Sequence, residues 1–149
     1  MRGFTVFLLV AVGTFIIDQN IKDLFVEGYY RAGRCLDLAL HYNKGVAFSM
    51  FAFVGPYLKW IQSLFIVAIL AYAVKEKYFK RYAFPLGLLI GGALGNVYDR
   101  FIHGGVVDYI AWHCGFDFAV FNYADVAIDI AIAWILVKIY FFPEASQKT

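Results

Sequence analysis

Apolar residues in this chain fall into four long runs. The first extends from Phe4 to Ile17 behind Arg2, and its helical pattern continues through Asp18 and Lys22. The second extends from Pro56 to Val74, with Pro56 suited to a first helical turn. The third covers Tyr82 to about Tyr98, and the fourth about Asp125 to Phe142, ended by Pro143. A helix needs roughly 20 residues to cross a bilayer, so each run predicts one span. A secretory signal would also begin with a charge and an apolar core, but no small-x-small cleavage pattern follows the first run. The stretch between the first two runs, about Val26 to Gly55, is too long for a plain turn. Within it Leu36 to Tyr42 partly alternates, which predicts a half-exposed strand, and Gly28, Gly33 and Gly45 mark turns. The pattern predicts an all-α membrane protein: a four-transmembrane-helix bundle with a small β-rich subdomain on its outer face. With no internal repeat, low-complexity segment or linker, residues 1–149 are expected to form a single domain.

Composition supports the membrane reading. Of the 149 residues 62% are apolar and 16% charged, against about 45–50% and 25% in soluble domains. A soluble domain of this length has no interior for so many apolar side chains. Disorder, a collagen-like fibre and a small disulfide scaffold are excluded on the same grounds. A net charge of +2 gives no reason to expect a nucleic-acid partner. Charge does orient the chain. Lys75, Lys77, Lys80 and Arg81 crowd the gap between the second and third runs, which places that turn and both termini in the cytoplasm. Arg2, Lys138 and Lys148 agree. The other two loops then face outward.

Ionisable groups at membrane depth are costly, and here they gather toward the outer ends of the spans. Asp18 and Lys22 stand four apart, acid first, as a structural ion pair or a site pair. Asn96, Asp99 and Arg100 share a face at the end of the third span, with Asp99 and Arg100 readable as an interface anchor. Asp108 falls in the short outer loop before the fourth span. Asp125 opens that span, as a helix N-cap or as a catalytic acid, and Asp129 lies one turn deeper on the same face. From spacing alone, Asp125 with Asp129 competes with any pair made by Asp108. Gly87, Gly91 and Gly95 form a stripe of small residues that lets another helix approach closely.

Other chemistries fail on inventory. His41, His103 and His113 are scattered, and no His-Glu-x-x-His or Cys/His cluster offers a metal site. Ser49, Ser63 and Ser146 lie in no nucleophile elbow. Cys35 and Cys114 both fall in outer loops, where a disulfide could form, although two free thiols are the simpler expectation. Carboxylate chemistry remains: two adjacent acids share a proton, one acting as base and the other as acid. An ion-coupled transporter would also hold acids in the membrane, but with repeats and broken helices that this chain lacks. A non-catalytic scaffold would tolerate loss of either Asp108 or Asp125.

Five ordered motifs carry a resemblance to a known family. They are Asp18-Gln19-Asn20-Ile21-Lys22, Asn43-Lys44-Gly45-Val46-Ala47-Phe48, Gly95-Asn96-Val97-Tyr98-Asp99-Arg100, Val106-Val107-Asp108-Tyr109 and Phe121-Asn122-Tyr123-Ala124-Asp125. Each stands at the outer end of a predicted span. Together they resemble signal peptidase II, the bacterial lipoprotein signal peptidases, which are membrane aspartic proteases. The resemblance implies that Asp108 and Asp125 are the catalytic pair, with Asp18, Lys22, Asn96, Asp99 and Arg100 in support and Asn43 and Asn122 holding substrate backbone. It implies a diacylglyceryl-modified prolipoprotein as substrate, cut just before its lipobox cysteine, with membrane lipid around it. It further implies the inhibitor globomycin, no metal or organic cofactor, and a place in the bacterial inner membrane. Tyr109 stands where the family usually has Phe, Val126 follows Asp125 where a small polar residue is common, and the loop holding Trp112 and Cys114 matches no family pattern. These departures bear on loop shape and substrate contacts, not on the carboxylates.

Overall fold

The computed structural model describes residues 2–45, 55–116 and 118–142. Val46, Ala47, Phe48, Ser49, Asp117 and the residues after Phe142 lie outside the described residues. The chain forms α1 (Arg2–Val26), β1 (Leu36–Asn43), α2 (Gly55–Lys75), α3 (Ala83–Ile102), β2 (Val106–Trp112) and α4 (Tyr123–Phe141). One 3-10 turn, Tyr78–Lys80, joins α2 to α3. The helices stand where the four apolar runs predict them. α1 and α3 continue past their apolar stretches, so that Lys22, Asp99 and Arg100 are helical residues held at fixed angles to the bundle.

α3 is the helix against which the others pack. Its glycine stripe lies on α1: a Cβ at Gly87 would fall 2.6 Å from Val10 Cβ, and one at Gly91 would fall 2.5 Å from the Ala11 carbonyl oxygen. A Cβ at Gly95 would collide with the Asp18 carboxylate. On another side, a Cβ at Gly92 would fall 2.8 Å from the Ala124 carbonyl oxygen of α4. Bare backbone at these points lets the two neighbours approach closely enough for their polar groups to meet. Below the polar level the core is apolar, built from Phe7, Ala11, Ile66, Leu86, Ile90 and Val97 among others.

The outward faces are strongly apolar. Leu9 and Leu64 are each 70% exposed, and Phe65, Leu136 and Ile139 are exposed with them. A belt of that size suits lipid rather than water. Among the described residues, α1 and α2 are long and apolar enough to cross a membrane. α3 and α4 have comparable length and are no less apolar on average, but they carry Asn96, Asp99 and Arg100, or Asp125, Asp129 and Lys138.

β1 forms where the alternating stretch predicts it. Its partner is a correction: the segment holding Asp108, expected as a loop, is the strand β2. β1 and β2 pair antiparallel, from Leu36 opposite Trp112 to Asn43 opposite Val106, with one extra β1 residue between Leu38 and His41. Such a bulge bends the ribbon over the bundle. Phe25 at the end of α1 stacks on Tyr109 of β2, ring centroids 4.2 Å apart and planes within 7°. The cysteines also depart from expectation. Cys35 and Cys114 are joined in a disulfide next to the Leu36–Trp112 pair, closing the end of the ribbon away from Asp108. The pairing follows from the strand register, which brings their Cα atoms to 4.5 Å.

Candidate active site

Polar residues from each of the five motifs, among them Asp18, Lys22, Asn43, Asn96, Asp99, Asp108, Asn122 and Asp125, converge where the ends of α1, α3 and α4 meet β2. At the base lies a buried ion cluster. Lys22 Nζ is 2.7 Å from Asp18 Oδ2 and 2.7 Å from Asp99 Oδ2, and it donates to Asn96 Oδ1 at 3.0 Å. Asp18, Lys22 and Asp99 are almost wholly buried. A buried charge is tolerated only when paired and hydrogen-bonded, and each of these is. Asp99 Oδ2 also accepts the Val107 N–H at 3.1 Å, which fixes the height of β2. Asp18 Oδ1 accepts the Ala124 N–H at 3.1 Å, which fixes the start of α4. Gln19, which the motif reading passed over, donates to both Asp18 and Asp99. The expected Asp99–Arg100 anchor does not form. Asp99 pairs with Lys22, and Arg100 instead donates to the carbonyls of Asn96 at 3.1 Å and Gly45 at 2.6 Å.

Two asparagines carry this order up to Asp108 and Asp125. Asn122 Nδ2 donates to Asp108 Oδ1 at 2.7 Å and to Asn96 Oδ1 at 3.1 Å. Asn96 Nδ2 donates to Asp125 Oδ1 at 2.8 Å. The N-cap of α4 is Asn122, not Asp125. Its side-chain oxygen accepts the Asp125 N–H at 2.9 Å while Asp125 Oδ2 accepts the Asn122 N–H at 3.1 Å, a reciprocal capping box. The box settles the rotamer of Asp125. Asp108 is held from the other side by Asn43 Nδ2 of β1, at 3.1 Å from Oδ2. Tyr109, at the position where Phe was expected, uses its added hydroxyl to accept the Tyr123 N–H at 3.0 Å. Burial pushes that phenol up to about 12.

Asp108 and Asp125 line one cavity of about 350 Å³, together with Asn43, Asn96 and Arg100. Burial, and after it the neighbouring Asp125 charge, pushes the Asp108 carboxyl up to about 6. Asp129 also reaches the cavity wall but is exposed, one turn beyond Asp125. The arrangement offers two carboxyls on the wall of one cavity, oriented by amides, one of which, Asn96, is itself held by the buried Lys22 ammonium. That is the geometry proton transfer to and from a bound carbonyl and water requires.

A sequence profile described as Signal peptidase (SPase) II matches residues 10–141. The chain belongs to the signal peptidase II family. It is 74% identical over 143 residues to a lipoprotein signal peptidase of Sulfurovum sp. (strain NBC37-1), covering 96% of this chain and 98% of that one. It is 42% identical over 146 residues to a lipoprotein signal peptidase of Helicobacter pylori (strain P12), covering 95% and 93%. Its fold is similar to a bacterial membrane enzyme solved by the in meso method at 2.3 Å resolution, with TM-score 0.75, 28% identity and coverage of 96% and 91%. The chain is therefore a membrane enzyme of the signal peptidase II family, a protease by class. Every residue that the motif resemblance singled out lies in the polar cluster just described. Gln62, which none of the five motifs includes, also lines the cavity and is the one amide in an otherwise apolar stretch of α2.

Proposed function

We propose that this chain removes the signal peptide from diacylglyceryl-modified prolipoproteins, cutting just before the lipobox cysteine, with Asp108 and Asp125 as an aspartic catalytic pair. The observation that supports it best is the sharing of one cavity by two oriented carboxyls in a family of lipoprotein signal peptidases. One carboxylate takes a proton from water as the water oxygen bonds to the scissile carbonyl carbon. The other, protonated, gives its proton to the carbonyl oxygen. Collapse of the tetrahedral intermediate breaks the carbon–nitrogen bond, and the amine of the new N-terminal cysteine leaves with a proton from the pair. Lys22, Asp18, Asp99, Asn96 and Asn122 position the two acids, while Asn43 and Arg100 face the peptide. Globomycin would occupy the same cavity. The test is processing of a diacylglyceryl-modified prolipoprotein by the purified protein.

We also propose that all four helices span the bacterial inner membrane, with the termini and the Lys75–Arg81 turn in the cytoplasm and the sheet on the outer face. The cationic turn and the lipid-facing belt support this. The acids at the interface then meet water while the substrate's acyl chains remain in the bilayer.

The active pair holds one proton. Asp108, protonated below about 6 and ionised above, sets the upper limb. Cleavage measured as kcat/KM should fall as pH rises through about 6 and fall again in strong acid, where both carboxyls are protonated. Bound substrate displaces water from the cavity and raises the carboxyl further, so the upper limb of kcat should lie at higher pH than that of kcat/KM. A flat kcat/KM from pH 5 to 8 would contradict the shared proton.

A further inference from the structure

From Trp60 to Val74 the second helix contains one amide side chain, Gln62, and no charge. Its neighbour Ser63 is satisfied by the Lys59 carbonyl at 2.7 Å. Gln62 is not: its side-chain oxygen is buried and accepts no hydrogen bond. It lines the same cavity as Asp108 and Asp125. An unsatisfied buried acceptor weakens the fold, and any apolar residue of similar size would relieve it. Arg100, which lines the same cavity, has a buried Nε that donates to nothing, although the two terminal nitrogens of that guanidinium are engaged. The cavity thus presents one idle acceptor and one idle donor.

The chemistry of the idle groups narrows what fills them. An oxygen acceptor is satisfied only by a donor. The ester groups of a diacylglyceryl moiety carry oxygens and no N–H or O–H, so the lipid portion cannot serve Gln62. A peptide backbone can, because each unit offers one N–H and one C=O. Backbone groups that leave water for the membrane side of the cavity themselves need partners. Position narrows it further. Gln62 lies seven residues into α2, about 10 Å along its axis. On the facing α4 the cavity wall near that depth is Ile128 and Asp129, one turn beyond Asp125. The peptide that reaches deeper than the cut is the signal-peptide segment.

We propose that Gln62 is a substrate-binding residue that accepts a hydrogen bond from a backbone N–H of the signal-peptide segment, on the membrane side of the scissile bond. This rests on the proposed role of the Asp108–Asp125 cavity and adds to it a backbone subsite on α2. Because the contact is made in the Michaelis complex and persists through the reaction, Gln62 contributes to KM more than to kcat.

The test uses the purified full-length enzyme and a diacylglyceryl-modified prolipoprotein peptide. Gln62→Met should raise KM about tenfold, the usual consequence of losing one hydrogen bond to a buried partner, with kcat within about twofold. Its Tm should equal or exceed the wild type's, since an idle polar group has been removed. Peptides N-methylated one residue at a time through the signal-peptide segment supply the other half of the cycle. At one position N-methylation should raise KM for the wild type and add nothing further in Gln62→Met. If Gln62→Met does not fold, Gln62→Leu serves the same comparison, and N-methylation that raises the wild-type KM at no position overturns the proposal without any variant. It is also overturned by an unchanged KM in Gln62→Met, by additive effects at every position, or by a lowered Tm accompanied by a lowered kcat. Asp108→Asn in the same assay separates the two readings. If that variant cleaves normally, the cavity reading and this proposal fall together. If it is inactive while Gln62→Met keeps the wild-type KM, only this proposal falls.

Discussion

Asp108→Asn and Asp125→Asn should each lower the cleavage rate of a lipidated prolipoprotein by about a thousandfold or more, with substrate binding largely kept. The amide matches the carboxylate in size but can neither take a proton from water nor hold one for the carbonyl, and loss of such a group costs about two to four powers of ten. At position 125 an amide oxygen can still accept the Asn122 N–H within the capping box, but the amide nitrogen then meets the Asn96 Nδ2 donor, so a modest drop in Tm is expected. At position 108 the carboxylate meets amide donors from both Asn43 and Asn122, so the amide variant loses one acceptor, and a modest drop in Tm should accompany the loss of activity. Asp129→Asn should remain active, since that side chain is exposed on the wall and lies outside the asparagine network. Single-turnover cleavage with a labelled substrate separates the three variants. Near-normal cleavage by Asp108→Asn, or loss confined to Asp129→Asn, would move the chemistry to Asp125 and Asp129.

Lys22→Met should be lost at an earlier stage, in folding. The ammonium is the shared partner of two carboxylates, 2.7 Å from each, in a region with almost no solvent access. Removing it leaves Asp18 and Asp99 facing one another without a counter-charge, and breaking a buried pair in this way costs about 3–5 kcal/mol. Because Asp99 also holds the Val107 N–H and Asp18 the Ala124 N–H, the damage should reach β2 and α4, the elements that carry Asp108 and Asp125. The expected result is a Tm lowered by several degrees or more in detergent, together with loss of cleavage. Adding Asp18→Asn and Asp99→Asn to Lys22→Met should recover part of the stability, because no uncompensated charge remains. A Lys22→Met protein with unchanged Tm would show that the cluster contributes nothing to the fold.

The sequence revealed the parts of this molecule that local pattern determines. Apolar runs bounded by charge located the helices, and the glycine spacing identified the face of α3 that meets α1. Pairings across distant segments were less accessible. The i,i+4 spacing suggested Lys22 with Asp18, but its second partner, Asp99, depends on how α3 packs on α1. The strand β2 was hidden because Asp108 interrupts an otherwise β-branched and aromatic run, and because its partner β1 lies far earlier in the chain. The disulfide follows from that same register. The α4 cap is legible in the sequence: Asn122 followed three residues later by an acid, Asp125, is a capping-box pattern. For the carboxylates, spacing left Asp125 with either Asp108 or Asp129, and the motif order chose between them.

The hydrogen bond from the Ala124 N–H to Asp18 joins residues 106 positions apart. In the order of synthesis, α1 enters the bilayer long before α3 and α4 exist. During that interval Asp18 and Lys22 have only each other, and their one-turn spacing lets them neutralise one another within a single helix. On the proposed topology the ion pair would let two ionisable groups enter lipid as one nearly neutral unit. α3 then supplies Asp99 and Asn96, and α4 arrives last with Ala124, Asn122 and Asp125. On the proposed pairing of Asp108 with Asp125, a nascent chain that has not yet made α4 carries only one of the two acids, so cleavage should begin only once α4 has joined the bundle.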